Sequence, residues 1–333
     1  MIVRLTGVKI LTFIWIILPL LCSGQIYSEE TLIARLKTGG AISEDVLSKR
    51  SVVLYSYLLT AKEISTAHEN FIRTGIDAIA YFKTDGVLAG GDVIFSHSEY
   101  FKKREVANLI IIQKSKSGYS IYVTAFNGKE DLVSADQSAW STRSANLNES
   151  LMEVYRSALA SNKKKNLLIN EIPETDLPVK IIFGQRAENF AYDLKVDNLA
   201  IPKFNDAVLD KELEELMKTY PMRNQLVGHD VSDKDLRNQG FLYVLCFVNT
   251  RSGMAREILG YPVRKSESAF VSVSYPDGQV QLKTIPADTP IFKFYVRHID
   301  SGNVYLGTKW DAETTWQQAL QNFIKSFKAE LRL

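Results

Sequence analysis

The chain has 333 residues, of which 46% are hydrophobic and 23% are charged, with 40 Lys and Arg residues against 38 Asp and Glu residues. This composition excludes a disordered chain, a collagen-like repeat and a small disulfide scaffold. The formal net charge of +2 gives no electrostatic reason to expect a nucleic acid or another polyanion as partner. The length exceeds that of one typical core and favours two compact units.

The first 24 residues have the pattern of a secretory signal peptide. Arg4 and Lys9 provide the positive start, residues 10–21 form a nearly uninterrupted apolar run, and Cys22 begins a short stretch of small residues. Because the run is well short of the roughly 20 residues that cross a bilayer, we expect cleavage after this stretch and not a retained anchor. A lipoprotein acylated on Cys22 is disfavoured, since a leucine precedes this cysteine where the signal requires a small side chain.

Cleavage would leave a neutral chain with a single cysteine. It removes Arg4 and Lys9 and no acid, so 38 basic residues remain against 38 acidic residues. Cys246 then has no partner for an intramolecular disulfide, and we expect an exported protein, periplasmic or extracellular, that depends on its core for stability. Cys246 lies in an apolar stretch, residues 241–248, which predicts a buried structural thiol and not a nucleophile.

Residues 25–162 are predicted to form an N-terminal α/β domain. Thr60 and Glu63 have the spacing of a capping box and begin a helix that Gly75 ends. A strand is expected on either side of this helix, and the β–α–β order is typical of a parallel pair with a right-handed crossover. The two strands are expected at residues 51–58 and 76–82. An earlier helix is expected at residues 29–37, a hairpin at residues 107–126 and a last helix at residues 146–159.

The rest of the chain is predicted as a connecting region followed by a C-terminal unit. Residues 163–230 contain four spread prolines and one amphipathic helix capped by Asp206, which favours a connection over a third regular domain. Residues 231–333 are rich in β-branched and aromatic stretches and are predicted to form a β-rich α/β domain. We expect Asp311 to cap its long closing helix, whose apolar residues include Trp316.

The fold class expected from these elements is mixed α/β, with two similar mixed-sheet units and amphipathic helices packed on them. The ends of the two halves resemble each other, since residues 121–123 and 294–296 each lie in a strand that precedes a tryptophan and a long helix. Each half also begins with a dense apolar strand, at residues 52–58 and 241–248. An internal duplication is one hypothesis; the alternative is that β–β–α endings are common and that few positions repeat.

The densest group of candidate binding residues consists of Asp85, Asp92, His97 and Glu99. The first part of this segment, residues 84–92, is glycine-rich and is predicted as a loop, and Ser98 is predicted to begin a short helix after it. Carboxylate and imidazole groups on a loop can hold a cation or position a water molecule. The alternative is a solvated loop of turn-forming residues. We predict no resident metal and no cofactor, because no motif with metal, nucleotide or nucleophile spacing occurs.

These features favour an exported, non-catalytic binding or assembly protein of the bacterial cell envelope. The expected partner is an envelope protein or a small ligand, with no nucleic acid and no membrane span after cleavage of the leader. The alternative is a secreted hydrolase that uses the loop at residues 85–99. A catalytic triad assembled from distant residues leaves no local pattern, so the sequence leaves this alternative open.

Overall fold

A computed structural model describes residues 27–161, 164–166, 168–264 and 266–333. The predicted leader lies outside these residues. Within them, no helix combines the length and the apolar composition that a bilayer crossing requires. The mixed α/β class is confirmed, because the described residues form a seven-stranded mixed sheet, a six-stranded mixed sheet and a separate two-stranded hairpin.

The first unit is built on the seven-stranded sheet, in the order β1-β6-β5-β4-β2-β3-β7. Its elements are α1 (Glu29–Ala34), β1 (Leu36–Thr38), β2 (Arg50–Tyr55), α2 (Ala61–Thr74), β3 (Asp77–Lys83), α3 (Thr84–Val87), α4 (Gly91–Lys103), β4 (Val106–Ser115), β5 (Gly118–Ala125), β6 (Gln137–Ser144), α5 (Leu147–Ser161) and β7 (Glu174–Thr175).

The second unit is built on the six-stranded sheet, in the order β10-β9-β11-β14-β15-β8, and carries the hairpin β12-β13. Its elements are β8 (Arg186–Ala187), β9 (Leu199–Pro202), α6 (Ala207–Met217), β10 (Asn224–Val227), α7 (Asp233–Asn238), β11 (Tyr243–Arg251), α8 (Ser252–Ile258), β12 (Ala269–Ser274), β13 (Gln281–Pro286), β14 (Pro290–His298), β15 (Val304–Tyr305) and α9 (Trp316–Leu331).

Strand β2 is an interior strand of the first sheet, with β3 parallel to it on one side and β4 parallel to it on the other. Helix α2 covers one face, where Phe71 packs with Val53, and helix α4 covers the opposite face, where Phe101 packs with Val52. The predicted capping box of α2 is confirmed, since the Thr60 hydroxyl accepts from the amide of Glu63 and the Glu63 carboxylate accepts from the amide of Thr60.

Two predicted helix starts are wrong. Helix α4 begins at Gly91 and not near Ser98, so most of the predicted glycine-rich loop is helical. Its apolar residues fall at helical spacing, and the glycines before it obscured the start. Helix α9 is capped by Thr315, whose hydroxyl accepts from the amide of Gln318, and not by Asp311. Asp311 is instead buried beside Lys293.

All six strands of the second sheet repeat the order seen in the first. The order β10-β9-β11-β14-β15-β8 corresponds to β3-β2-β4-β5-β6-β1, with the same parallel and antiparallel pairings along each series. Residues 163–230, predicted as a connection with one helix, contribute α6, β7 to the first sheet and β8 to β10 to the second. The matched stretches 121–123 and 294–296 lie on equivalent strands, whereas 52–58 and 241–248 do not. The duplication itself stays a prediction.

Candidate binding cleft between the two units

The second sheet opens between two of its interior strands, β9 and β11. Strand β9 pairs with β11 only at Leu199–Tyr243 and Ala200–Val244, but it continues along β10 as far as Pro202. Proline has no amide hydrogen and cannot donate to a neighbouring strand. In the first sheet the equivalent strands β2 and β4 stay paired along the whole length of β2. The gap between β9 and β11 is therefore a feature of the second unit.

This gap lies where the chain reverses its direction of winding. The connection after β9 passes through α6, whose Leu213 packs on one face of the sheet with Leu245. The connection after β10 passes through α7, whose Leu236 packs on the opposite face with Val244. Open α/β sheets bind ligands at such a topological switch point, because the two connections leave in opposite directions and create a crevice.

A cavity of about 650 Å³ passes through the gap. Its volume falls within the range of about 300–1,000 Å³ that small-molecule sites occupy. Side chains from both faces of the second sheet line it, because the strands do not meet there. The apolar lining includes Ile201, Phe204, Leu213, Val244, Phe247 and Phe294. A mainly apolar cavity of this size favours an apolar ligand with few polar groups.

The first unit closes the other side of this inter-unit cleft. Gly91, Asp92 and Phe95 at the start of α4 line the cavity, together with Tyr27 just before α1. Polar contacts hold α4 and its approach against the second unit. The amide of Asn249 donates to the carbonyl of Ala89 over 2.7 Å, and Asp92 pairs with Arg297.

A polar wall crosses the cleft from one unit to the other. The carboxylate of Asp92 accepts from the Tyr295 hydroxyl at 2.9 Å and from Nε of Arg297 at 3.2 Å. The same guanidinium donates both of its Nη groups to Asp233, at 2.7 and 2.9 Å. Burial opposes the charge of Arg297, but the Asp92 and Asp233 carboxylates outweigh it and raise the pKa of Arg297 above its ordinary value. The two carboxylates are thus occupied by one arginine.

Cys246 lines this wall beside the ion pair. It is half-buried as a whole residue, but its thiol faces the interior, and burial raises the pKa of the thiol well above its usual value. The protonated thiol is a poor nucleophile. A role in lining the cleft fits this environment better than a role as a nucleophile.

The four residues predicted as binding residues do not converge on one space. Asp85 forms a two-point ion pair with Arg251 at 2.6 and 3.1 Å and so joins the units at a second place. Asp92 belongs to the polar wall, and Glu99 is on the surface with Lys102 at 2.7 Å. His97 is buried among aromatic rings. Within the described residues, no three His, Cys, Asp or Glu side chains are placed to hold a metal ion.

His97 is held as a neutral core residue. Its Nδ1 donates to the carbonyl of Val93 at 2.8 Å, and its ring meets the edges of Phe82 and Phe101. Burial lowers the pKa of His97 to about 4 from an ordinary value of 6.5, although the hydrogen bond to Val93 acts in the opposite direction. The folded state therefore resists protonation of this side chain.

We expect the stability that neutral His97 contributes to be lost in acid. The unfolded chain binds a proton at His97 below about pH 6.5, whereas the folded chain binds it only near pH 4. The contribution is thus complete above pH 6.5 and decreases as the pH falls through this window. The unfolding free energy of the native protein, minus that of His97→Leu, should fall by about 3 kcal/mol between pH 7.5 and pH 4 in urea titrations. The other histidines are common to both proteins and cancel, so a constant difference would contradict the expectation.

Sequence reasoning missed most of the cleft. Arg297, Asp233 and Phe247 reach it from three different elements of the second unit, and Tyr27 reaches it from the first. None of them belongs to a local motif. Asp92 was predicted as a binding residue and does line the cleft, and the prolines between residues 163 and 230 gave a weaker signal, because Pro202 follows the last residue of β9 that pairs with β11, Ala200, by two positions.

Comparisons with known proteins do not extend this description. No protein-family model matches the chain, and neither the curated proteins nor the solved structures include one with significant similarity to it. The function is therefore argued from the cleft alone.

Proposed function

We propose that this protein is a non-catalytic binding protein of the bacterial cell envelope and that it holds an apolar ligand in the inter-unit cleft. The observation that carries the proposal is the parting of β9 and β11, which opens a cavity of about 650 Å³ at a topological switch point. A fully paired sheet, like the one in the first unit, would have no such opening. Apolar side chains that line an open space favour an apolar occupant.

The polar groups of residues 85–99 support binding over catalysis. A general acid or base needs a carboxylate or imidazole that can exchange a proton with a substrate. Asp92 accepts from Tyr295 and Arg297 at once, and Asp85 is engaged by Arg251. His97 faces the core of the first unit. Asp85 and Asp92 are thus engaged in holding the two units together and His97 in packing, while Glu99 pairs with Lys102 on the surface.

The proposed location rests on the leader pattern of the first 24 residues. An exported chain of this composition would meet its ligand in the periplasm or outside the cell. The nearly equal numbers of acids and bases favour recognition by the local surface of the cleft over recognition by net charge.

A charge placed at the mouth of the cleft tests the proposal. Phe183 lines the cavity and is 57% exposed, so Phe183→Asp should leave the fold intact. We expect the affinity for 8-anilinonaphthalene-1-sulfonate, a fluorescent probe with apolar rings and one sulfonate anion, to fall at least about tenfold, because its rings lose apolar contact with Phe183 and its sulfonate meets a like charge. The matched control is Tyr192→Asp, an exposed aromatic residue outside the cleft. Equal affinities of both variants and the native protein would contradict the proposal.

The hydrolase alternative is tested in the same preparation. The purified protein is assayed with generic ester, peptide and glycoside substrates. Turnover that His97→Ala or Asp92→Ala abolishes, in variants that still unfold cooperatively, would contradict a non-catalytic role. The absence of turnover together with binding of the probe in the cleft would support it.

A further inference from the structure

Tyr27 places an aromatic ring from the first unit into the cleft of the second. Its ring centroid lies 6.3 Å from that of His229 and 6.4 Å from that of Phe247, with an interplanar angle of 28° in each case. The hydroxyl oxygen of Tyr27 lies close to Gly91, the first residue of α4. If Gly91 carried a Cβ atom, that atom would be 3.9 Å from the hydroxyl oxygen. Tyr27 thus spans from the first unit to two rings of the second.

Further aromatic rings surround the two that Tyr27 contacts in the second unit. Phe247 lies 6.0 Å from Phe204 and 5.7 Å from Phe294, measured between ring centroids, and both of these residues line the cavity. The ring of His229 is exposed, and its Nδ1 donates to the carbonyl of Lys203 at 3.0 Å, which favours this orientation of the ring. Flat surfaces select flat ligands, since an offset stack needs a planar partner.

Tyr27 is held in this position by packing. Within the described part of the chain, no hydrogen bond of its hydroxyl or backbone anchors it, and the hydrogen-bonded cap of α1 begins one residue later at Ser28. Burial, together with the nearby carboxylates of Glu130 and Asp92, raises the pKa of Tyr27 to about 12, so the phenol stays neutral. A neutral ring held by packing can be replaced by another neutral ring without breaking a polar contact.

We propose that the cleft contains a subsite for a single aromatic ring, that Tyr27 fills this subsite in the free protein, and that a small phenol-type ligand displaces Tyr27 from His229 and Phe247. This inference rests on the proposed function and names the ligand class of the same cleft. Tyr27 then competes with the ligand, and binding of the ligand releases the Tyr27 ring from the cleft.

Replacing Tyr27 with alanine tests whether the subsite exists. We expect p-cresol, which has the ring and hydroxyl of a tyrosine side chain, to bind Tyr27→Ala about tenfold or more tightly than the native protein, by isothermal titration calorimetry. Tyr27→Phe keeps the ring and should bind p-cresol as the native protein does. The saturated analogue 4-methylcyclohexanol should bind Tyr27→Ala more weakly than p-cresol, because it cannot stack. Adding Phe247→Ala to Tyr27→Ala should remove the gain.

The control variant is Tyr192→Ala, which removes a tyrosine that is 72% exposed and outside the cleft. The inference is overturned if Tyr27→Ala binds p-cresol no better than the native protein, if Tyr192→Ala produces the same gain, or if the saturated analogue binds as tightly as p-cresol. The two proposals fail separately. If Phe183→Asp still weakens the naphthalene probe while Tyr27→Ala has no effect on p-cresol, the cleft binds apolar ligands and only the aromatic subsite is refuted.

Discussion

Replacing Lys293 with Met should lower the free energy of unfolding by about 3–5 kcal/mol, the cost of breaking a buried ion pair by removing one partner. Lys293 is fully buried in β14, and its Nζ donates to Asp311 at 2.6 Å and to the carbonyl of Leu306 at 2.8 Å. The second carboxylate oxygen of Asp311 is buried and has no partner among the described residues. Without the lysine, the whole carboxylate would be buried without a counter-charge.

Urea unfolding of three variants separates this cause from the loss of a charge in general. Lys218→Met removes an exposed pair with Glu215, and its unfolding free energy should stay within about 0.5 kcal/mol of the native value. The double variant Lys293→Met/Asp311→Leu should recover much of the loss, because an apolar pair of similar volume is tolerated where an unpaired charge is not. If Lys293→Met unfolds at the native urea concentration, the pair contributes nothing and the argument is wrong.

The elements predicted correctly are those whose cause lies within a few residues. The capping box of α2 satisfies two backbone amides through side chains three residues apart, and Gly75 ends the helix with φ at +96°. Such interactions leave a pattern in the chain that needs no knowledge of the rest of the fold. The class of fold followed from the same local patterns.

Asp311 shows where local reasoning ends. An acid before a long amphipathic stretch is a common N-cap, but Thr315 and Gln318 have the Thr-x-x-Gln spacing of a capping box, which is a local sign of the true cap. The role that Asp311 does take is set by Lys293, 18 residues earlier, which is buried and requires a counter-charge. A partner at that separation is set by strand pairing, and the sequence does not encode it as a spacing.

The candidate site also depends on contacts between residues that are far apart in the sequence. The residues between 85 and 99 were predicted as a site because their polar groups are close in sequence, but the two aspartates have their partners in the second unit. Asp85 pairs with Arg251 and Asp92 with Arg297, more than 160 residues away. The cleft depends on two strands that separate, which is a property of the sheet and not of either strand alone. Pro202 is consistent with the separation, but a proline in a short strand is common at sheet edges too.

The glycines before α4 were predicted as the sign of a loop, and the structure gives one of them a different role. Gly90 has φ at +146° and ψ at 167°, a backbone conformation that only glycine adopts readily. A Cβ at this position would lie 2.3 Å from the backbone oxygen of Phe247 in β11. The two units thus meet so closely at residue 90 that no side chain fits.

Gly90→Ala should therefore destabilise the protein by about 4 kcal/mol, as the sum of backbone strain and a backbone collision. To accommodate the methyl group, α4 must move away from β11, which pulls Ala89 from the amide of Asn249 and Asp92 from Arg297. Because α4 forms one wall of the cleft, affinity for 8-anilinonaphthalene-1-sulfonate should fall in the same variant. Both effects are measured on one preparation, by urea unfolding and by fluorescence titration.

The neighbouring glycine provides the matched control. Gly91 is the first residue of α4, and the nearest atom to an added Cβ is the Tyr27 hydroxyl oxygen at 3.9 Å, an ordinary contact. Gly91→Ala should stay within about 0.5 kcal/mol of the native unfolding free energy, since alanine favours the helix and meets no obstacle. A difference of several kcal/mol between two adjacent Gly→Ala variants would place the strain at the contact between the units. If the two variants unfold alike, the close approach of Gly90 to Phe247 does not hold the units together, and the cleft does not depend on it.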